Sequence, residues 1–375
     1  MKIYYIITLF LLSSIAQAQI VNIPDANFKN ALLNHSPIID TNGDGEIQVT
    51  EAEATLIITI EHKGIQSLNG IQSFVNLEDL NCHDNSLTVL DISQNQNLKK
   101  LRCSWNQLTN LDISQNLNLE LLVCYHNELT NIDVTQHPNL EELWVSINPL
   151  TSLDVTHNSS LKKLHCDSTQ LTSLDVSQNS NLEGLSFKDT QFSNIDVTQN
   201  FKLRYITFSN ANLTHLDLSQ NPNLIALDCY NNQLIYLNIK NGNNINMPYM
   251  DAENNPNLQC IKVDNVVNAN NRQCYRGDPM VGWCKDATAS FSEECVLGID
   301  EQNLATFDLF PNPAKDILII KAKETPELIQ IYTTTGMLIR TTSNTTLDIS
   351  DLASGLYFLS ASIQGKSITK KFIKS

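Results

Sequence analysis

Six residues between positions 40 and 51 carry oxygen atoms at a spacing suited to a hard divalent cation. The stretch 40–51 reads DTNGDGEIQVTE, with carboxylate or amide side chains at its first, third and fifth positions and a glutamate at its twelfth. Calcium binds about six to eight such oxygens, and a glycine at the sixth position permits the sharp turn that gathers them. We therefore expect a structural calcium ion held by Asp40, Asn42, Asp44, the Glu46 carbonyl, Gln48 through water, and both oxygens of Glu51.

Short helices on either side must position this loop. Residues 25–33 place Phe28 and Leu32 on one face, and a second helix should begin near Glu51. The arrangement resembles an EF-hand with a single loop. Residues 19–56 are therefore expected to form a helical cap over the next part of the chain, rather than a two-loop sensor that opens on binding. The alternative is an acidic turn that holds no metal.

A 21-residue period follows the loop and fills the middle of the chain. Three apolar columns recur in register, the first of them at Leu77, Leu98, Leu119, Leu140, Leu161, Leu182, Leu203 and Leu224. Between the second and third columns lies an asparagine column that begins with Asn85, Asn106, Asn127 and Asn148. Apolar residues two positions apart share one face of a strand, so each coil should add one short strand to a parallel sheet. The asparagine amides should bond the backbone of the turn that leaves each strand.

The segment 77–87 reads L-x-x-L-x-C-x-x-N-x-L, and this pattern resembles the short-repeat leucine-rich proteins of Bacteroidota. We count about ten coils over residues 57–264. The fold class expected is mainly β with little helix: a leucine-rich-repeat solenoid with a parallel β-sheet, followed by a small antiparallel β-sandwich. The other side of each coil should consist of turns and extended segments. The fold by itself does not identify a ligand.

Two further columns could carry chemistry. Five inward positions hold cysteine, at Cys82, Cys103, Cys124, Cys166 and Cys229. A metal or disulfide ladder is one interpretation, but valine and phenylalanine replace cysteine elsewhere in the column, which favours buried thiols that act as small apolar groups. A second column contains Asp91, Asp112, Asp133, Asp154, Asp175, Asp196 and Asp217. We expect each carboxylate to accept backbone N–H groups in its own turn, and a row of calcium ions is the alternative.

The outward strand positions vary from coil to coil while the inward ones do not. Large aromatic and basic side chains occupy several of them, and exposed apolar area of this kind is typical of a contact surface. We expect a ligand-binding face that includes Arg102, Trp105, Tyr125, Trp144, His165, Tyr205 and Tyr230. Ordinary variation of a solvated surface is the alternative.

Four more cysteines lie beyond the repeat, at Cys260, Cys274, Cys284 and Cys295. Residues 265–298 are expected to be a C-terminal cap. Of the three possible pairings, we prefer a Cys260–Cys295 disulfide that encloses Cys274–Cys284, because the outer bond would tie the last coil to the segment that covers it. A zinc site is the rival interpretation, although paired C-x2-C knuckles are missing.

In residues 304–375 the pattern changes to alternation of apolar and polar residues, which indicates antiparallel strands. The pieces FPNPAKD (310–316), GMLIR (336–340) and DLASGLY (351–357) resemble the C-terminal sorting domain of the type IX secretion pathway. The resemblance implies passage across the outer membrane and recognition of residues 304–375 by that secretion machinery.

The first 18 residues read as a signal peptide, with Lys2, an apolar stretch and an A-x-A site at 16–18. No later stretch is long and apolar enough to span a membrane, so the mature chain is expected to be secreted or on the outer cell surface. Forty acidic against 24 basic residues give a net charge of −16. Such a surface repels phosphate backbones, which argues against nucleic acid as a partner.

These observations predict a secreted or surface-held binding protein of adhesin-like type that recognises a protein or a glycan on another surface. A spacer or stalk without a ligand of its own is the alternative. An enzyme such as a hydrolase is not expected, because nucleophile elbows, H-E-x-x-H motifs and phosphate-binding glycine loops are missing from the sequence.

Overall fold

The computed structural model describes residues 19–275, 281–295, 307–322, 325–333, 337–363 and 366–375. For residues 363 and 366–368 it describes the backbone alone. The expected signal peptide, residues 1–18, lies outside this part of the chain. By contacts, the chain separates into two units, Met1–Cys295 and Val296–Ser375.

The first unit begins with a helical cap. Its helices are Ala26–Leu33 and Val49–Ala54, joined by the loop that contains the expected cation ligands. Phe28, Leu32 and Ile47 are fully buried and continue the core of the repeats. The cap is fastened by Asp25, whose Oδ1 accepts the N–H groups of the first helical turn while its Oδ2 accepts those of Gln66 and Ser67.

Behind the cap, parallel strands of three or four residues form one sheet of eleven strands. We number the coils 1 to 11 by these main-sheet strands: Ile57–Thr59, Asp79–Asn81, Lys100–Arg102, Leu121–Val123, Glu142–Trp144, Lys163–His165, Gly184–Ser186, Tyr205–Thr207, Ala226–Asp228, Tyr249–Ala252 and Gly282–Lys285. The three leucine columns are buried along its whole length, which gives one continuous apolar core.

The other side of the coils consists of turns and extended segments, as the sequence predicts, and the later coils pair these segments into a second sheet. Its four parallel strands are His215–Asp217, Tyr236–Asn238, Cys260–Lys262 and Ser290–Ser292. Short helical turns interrupt the coils at Ile71–Ser73, Asn244–Asn246 and Val266–Asn270. The segment expected as a separate cysteine-containing cap contributes the last strand of each sheet, so it is itself the final coil.

The second unit is antiparallel. One sheet contains Phe307–Phe310, Ile317–Ala322 and Thr346–Asp348; the other contains Leu328–Thr333, Leu338–Thr342, Gly355–Ile363 and Lys366–Lys374. Alternate residues of both sheets enclose a core of its own, with Phe307, Leu318, Ile329, Ile331 and Phe372 buried. In the part of the chain that the structure describes, the helices lack the length and apolar character that crossing a membrane requires.

Candidate functional site: the open face of the repeat sheet

Each coil presents three alternate residues on the side of the main sheet that faces away from the core. In coil 2 these are Asp79, Asn81 and His83, which flank the buried Leu80 and Cys82. We call the surface made by these positions the open face. A strand that is solvated on one side normally alternates between apolar and polar residues, so polar side chains are expected here.

Coil 4 departs from that rule. Its three open-face residues, Leu121, Val123 and Tyr125, are all apolar or aromatic and only half-buried, although Leu122 and Cys124 on the other side are fully buried in the core. Among the described coils, coil 4 is the single one with apolar side chains at all three positions. Apolar surface of this kind on a solvated sheet is typical of a contact site.

Charges of opposite sign lie on the two sides of coil 4. The parallel register places Leu121 between Lys100 and Glu142, and Val123 between Arg102 and Trp144. Neighbouring parallel strands are about 4.8 Å apart, so the basic and acidic side chains are separated by about 10 Å of apolar floor. The open face here is therefore dipolar across an apolar centre.

These residues line a groove of about 560 Å³, which we call the coil-4 groove. It is lined by Glu61, Asn81, His83, Lys100, Arg102, Glu120, Leu121, Val123, Tyr125, Glu141, Glu142 and Trp144. Arg102 Nη1 lies 2.7 Å from Asp79 Oδ1, and Lys163 Nζ lies 3.0 Å from Glu142 Oε1. The Trp144 ring packs against His165 with centroids 4.6 Å apart, and its buried Nε1 finds no acceptor among the described residues.

Beside the groove, one residue in each coil has a left-handed backbone conformation, and these residues form a rim. In each of coils 1 to 10 one residue after the strand has a φ between 51° and 57°; in coils 3, 4 and 5 it is Trp105, His126 and Ile147. A left-handed backbone costs a residue with a side chain about 1–2 kcal/mol, least for asparagine and aspartate. Later coils use Asn210 and Asn231, and the Asn231 amide donates to the Asn210 oxygen at 2.8 Å.

The rim of coils 3 to 5 thus keeps bulky residues where the backbone disfavours them, and solvent reaches them. Trp105 is 45% exposed and Ile147 is 46% exposed. Residues held in sparsely populated backbone conformations cluster at functional sites. We call Trp105, His126 and Ile147 the strained rim.

The seven residues expected on the binding face lie on the same sheet but fall into separate groups. Arg102, Tyr125 and Trp144 line the coil-4 groove, and Trp105 belongs to the strained rim. His165 and Tyr205 line a second groove of about 320 Å³ around coils 6 to 8. Tyr230 is farther along, where its hydroxyl accepts a hydrogen bond from Asn254 at 2.7 Å.

The second groove is organised by Asp167. Its carboxylate accepts hydrogen bonds from the Ser186 hydroxyl and, at 2.7 Å, from the Lys188 N–H, and the Ser146 hydroxyl lies 3.3 Å from it. Burial lowers the pKa of His165, although the nearby Asp167 carboxylate opposes that shift. These internal bonds occupy the Asp167 carboxylate and the Ser146 and Ser186 hydroxyls, so these groups have less left to offer a ligand.

The loop expected to hold calcium folds back on itself. The Asp40 carboxylate accepts the N–H groups of Gly43 and Gly45, at 2.8 and 3.1 Å, and Glu51 accepts those of Thr41 and Gln48 at 2.7 and 3.0 Å. Burial raises the pKa of Glu51, but these hydrogen bonds outweigh it and the net pKa is lowered. Glu51 is thereby held as a carboxylate, the form that a cation requires.

The donor set of this loop suits calcium in kind. Three carboxylates, two amides and one carbonyl provide hard oxygen ligands, and Gly45 has the positive φ of 81° that the turn needs. The carboxylate oxygens of Asp40, Asp44 and Glu51 are not all within 4.8 Å of one another. The Gln48 amide nitrogen instead donates to both Asp44 oxygens, at 3.0 and 2.9 Å, so the loop has to tighten and this amide has to turn for the oxygens to converge.

A different group brings carboxylates and a sulfur together. Asp251, Glu253 and Cys284 are the one set of three metal-ligand types within 4.8 Å among the described residues. Cys284 is bonded to Cys274, however, and a disulfide sulfur does not offer the thiolate that a metal site needs. The structure contains the two disulfides that the sequence favours, Cys260–Cys295 and Cys274–Cys284.

The repeating columns have structural roles. Each carboxylate of the aspartate column accepts the N–H of the residue two positions on, at 2.9–3.1 Å, as the turn interpretation predicts. The amide of Asn85 donates to the Cys82 and Ile60 carbonyls and thereby links consecutive coils. The five cysteines of the inward column form no disulfide and are buried, as expected for thiols that serve as packing groups.

Comparison with known proteins identifies the second unit. Residues 308–375 match the protein family described as the secretion system C-terminal sorting domain. The second unit is therefore a sorting domain. This confirms the resemblance seen in the sequence, and the sorting domain marks the protein as one that is secreted or placed on the outer cell surface. A comparison with curated proteins found no match.

Several solved structures are similar to the chain. The functional domain of InlJ from Listeria monocytogenes, described as including a cysteine ladder, is 27% identical with a TM-score of 0.41, over 65% of this chain and 66% of that one. A leucine-rich-repeat protein of Leptospira interrogans is 26% identical with a TM-score of 0.48, over 57% of this chain and 56% of that one. An internalin, InlF of Listeria monocytogenes, is 14% identical with a TM-score of 0.46, over 67% of this chain and 87% of that one. The chain thus spans less than two thirds of the first two structures.

Proposed function

We propose that this secreted or surface-held leucine-rich-repeat protein binds a partner through the open face of its sheet, with the coil-4 groove as the principal contact. The observation that carries the proposal is coil 4, whose strand is apolar on both sides although one side faces solvent. Exposed apolar surface lowers solubility and contributes nothing to the core, so its presence here is accounted for by a binding role.

A spacer without a ligand would not need this arrangement. Its open face could repeat the same polar residues from coil to coil, as the inward positions repeat leucine. Instead coils 3, 4 and 5 differ from one another in charge and polarity, and the strained rim beside them is conformationally unfavourable. The left-handed position recurs in coils 1 to 10, but only Trp105 and Ile147 fill it with large apolar side chains that are about half exposed. These two residues lie in the coils on either side of coil 4, which supports recognition at one place on the sheet.

The test uses the full mature chain and two defined probes, a glycan array and a phage-displayed library of random peptides. Binding to members of one set is expected to fall at least tenfold when Leu121 and Val123 are both replaced by serine. The matched control is Val89→Ser, since Val89 is 71% exposed outside the groove. Failure to bind either set, or equal loss in the Val89 variant, would argue against the proposal.

We further propose that calcium is a structural cofactor of the cap, held by Asp40, Asn42, Asp44, the Glu46 carbonyl, Gln48 through water, and Glu51. Three observations support it: the oxygen donor set, the lowered pKa of Glu51, and the lowered pKa of Asp44, which follows from its hydrogen bonds with the Glu46 N–H and the Gln48 amide. The cap is joined to coil 1 through Asp25, so a cation that orders the loop would also stabilise the start of the solenoid.

A further inference from the structure

The chemistry of the coil-4 groove points to a protein partner. We propose that the groove receives a protein segment with an apolar side chain over Leu121 and Val123, an acidic side chain toward coil 3 and a basic side chain toward coil 5. This inference rests on the proposed function, because it names the class of partner for the same site.

The apolar floor fits a side chain better than a sugar ring. Leu121 and Val123 are aliphatic, whereas a pyranose packs best on an open aromatic face. The aromatic rings around the floor already contact imidazoles: Trp105 stacks on His126, with centroids 3.6 Å apart, and Trp144 packs at a tilt of 40° against His165, with centroids 4.6 Å apart. The Tyr125 ring lies 6.2 Å from that of His83, also tilted. Leu121 and Val123 lie at the centre of the groove lining, and branched aliphatic or aromatic side chains are their natural complement.

The basic side of the groove belongs to coil 3. Arg102 is already paired with Asp79, at 2.7 Å. Lys100 has no ion-pair partner among the described residues, and its exposed side chain lies one strand away from Leu121. A carboxylate of the partner that lay over Leu121 would therefore meet an unpaired ammonium at this edge.

Three of the four glutamates that line the groove belong to coils 4 and 5. The fourth, Glu61 of coil 1, lies beyond the basic side and accepts a hydrogen bond from the Asn81 amide at 2.9 Å. Glu141 and Glu142 are paired with Lys162 and Lys163, at 2.7 and 3.0 Å. Glu120 makes no ion pair among the described residues and lines the same groove. A basic side chain of the partner can therefore pair with Glu120 and share the partly neutralised Glu142.

This layout disfavours partners of uniform charge. A polyanion would meet the four glutamates that line the groove, and a polycation would meet Lys100 and Arg102. Complementary charges fix the orientation of a partner and exclude wrong ones more than they add affinity. A segment that carries both signs around an apolar residue satisfies both edges at once.

The experiment begins with a peptide selected on the wild-type chain from the displayed library, whose affinity is then measured by calorimetry. The test variant exchanges the two edges, Lys100→Glu with Glu142→Lys, which keeps the net charge. Affinity for the selected peptide is expected to fall by about tenfold or more, and a peptide with its acidic and basic residues exchanged is expected to recover most of that loss.

The matched control exchanges charges outside the groove, Lys202→Glu with Glu128→Lys. Both side chains are exposed and neither lines the coil-4 groove. This variant should bind the original peptide like the wild type. Thermal melting of all three proteins shows whether each is folded, so a loss of binding is not mistaken for unfolding.

The outcomes separate the two levels of the proposal. Selected peptides without paired charges, or a charge-exchanged peptide that recovers nothing, would overturn the protein-segment inference. Binding of neutral glycans that depends on Leu121 and Val123, with no peptide selected, would overturn it too while leaving the proposed function intact. If neither the glycan array nor the peptide library contains a member that binds the folded protein, the proposed function itself is contradicted.

Discussion

The indole of Trp105 stacks on the imidazole of His126, with ring centroids 3.6 Å apart and planes inclined by 14°. Both residues have a left-handed backbone, with φ values of 53° and 56°. The stack compensates in part for the left-handed conformation of Trp105, which a large aromatic residue disfavours more than histidine does. Ile147 takes the same position in coil 5 with a φ of 54°, but an aliphatic side chain gains no such ring contact.

Replacing Ile147 with asparagine should therefore stabilise the protein. Asparagine tolerates the left-handed region, which costs a branched residue about 1–2 kcal/mol, so we expect the free energy of unfolding to rise by about 1 kcal/mol. Denaturant unfolding measures this directly. Trp105→Asn is the comparison: it relieves the same strain but loses the stack, so its effect should be close to zero. A clear destabilisation by Ile147→Asn would show that the left-handed position is not strained.

The aspartate column predicts loss of stability in acid. Hydrogen bonds from the serine or threonine two residues on lower the pKa of six of these carboxylates below the ordinary value of 3.8: Asp91, Asp112, Asp133, Asp154, Asp175 and Asp196. A lowered folded-state pKa contributes stability that is complete above 3.8 and is lost as the pH falls from there through the folded-state pKa.

Melting temperatures measured from pH 7 to pH 2 should stay level above the ordinary aspartate pKa and then fall. Changing all six aspartates to asparagine keeps an acceptor oxygen in each turn but removes the titration. The steep part of the curve should then become shallower, with the remainder due to groups such as Asp25 and Glu51, whose pKa values are also lowered. If the melting temperature of the asparagine variant falls as steeply below pH 3.8 as that of the wild type, the aspartate column is not the cause of the acid sensitivity.

The inward cysteines should be inert in the native protein. Burial raises the pKa of the Cys82 and Cys124 thiols to about 12, so almost no thiolate forms at pH 8. We expect maleimide to label none of Cys82, Cys103, Cys124, Cys166 and Cys229 in native buffer and all five in denaturant, as read by mass spectrometry. Rapid native labelling of any of them would show that the core opens at that coil.

Much of this architecture can be predicted from the sequence because equal repeats impose equal environments. The leucine and asparagine columns predict the solenoid and its turns, and the turn interpretation of the aspartate column, preferred over a row of calcium ions, agrees with the structure. The sorting domain can likewise be predicted from its sequence motifs. The paired disulfides of the last coil follow from the need to fasten a segment to the end of the stack.

The groove was harder to foresee because its signal is a missing alternation rather than a motif. Leu121 and Val123 are ordinary repeat residues by type, and attention to large aromatics finds Tyr125 and Trp144 but passes over the aliphatic floor. The string LLVCY at 121–125 could have revealed it, since both faces of that strand are apolar. The strained rim could not be foreseen from Trp105 or Ile147, because neither residue type signals a positive φ.

Calcium should raise the stability of the cap. An affinity on the order of 10⁻⁴ to 10⁻³ M, as for extracellular calcium modules, would give about 1.4 to 2.7 kcal/mol at about 10 mM calcium. Glu51→Gln should abolish the gain, because it weakens the ligand expected to use both oxygens. Glu53→Gln is the control, as Glu53 is exposed on the same helix. Calorimetric titration with calcium alone provides a second measurement, and a Glu51 variant that responds like the wild type would contradict the site.

A second asparagine column runs through the turns on the other side of the coils, and one coil breaks it. The members are fully buried, and each amide nitrogen donates to the carbonyls 24 and 21 residues earlier, at 2.8–3.0 Å: Asn95, Asn116, Asn158, Asn179, Asn200 and Asn221. In coil 4 the position holds His137, whose Nε2 lies 3.2 Å from the Ile113 carbonyl. Its buried Nδ1 has no partner among the described residues, and the same is true of the Oδ1 atoms of the six asparagines.

His137→Asn should therefore stabilise the protein. The amide can donate to both the Ile113 and the Asn116 carbonyls, and a net hydrogen bond is worth about 0.5–1.5 kcal/mol, from which a small cavity cost is subtracted. We expect a gain of about 1 kcal/mol in the free energy of unfolding measured with denaturant. The reciprocal change, Asn158→His, should cost a similar amount, because it exchanges two buried bonds for one. If both changes shift stability in the same direction, the column is not held by paired amide bonds, and its asparagines owe their place to size alone.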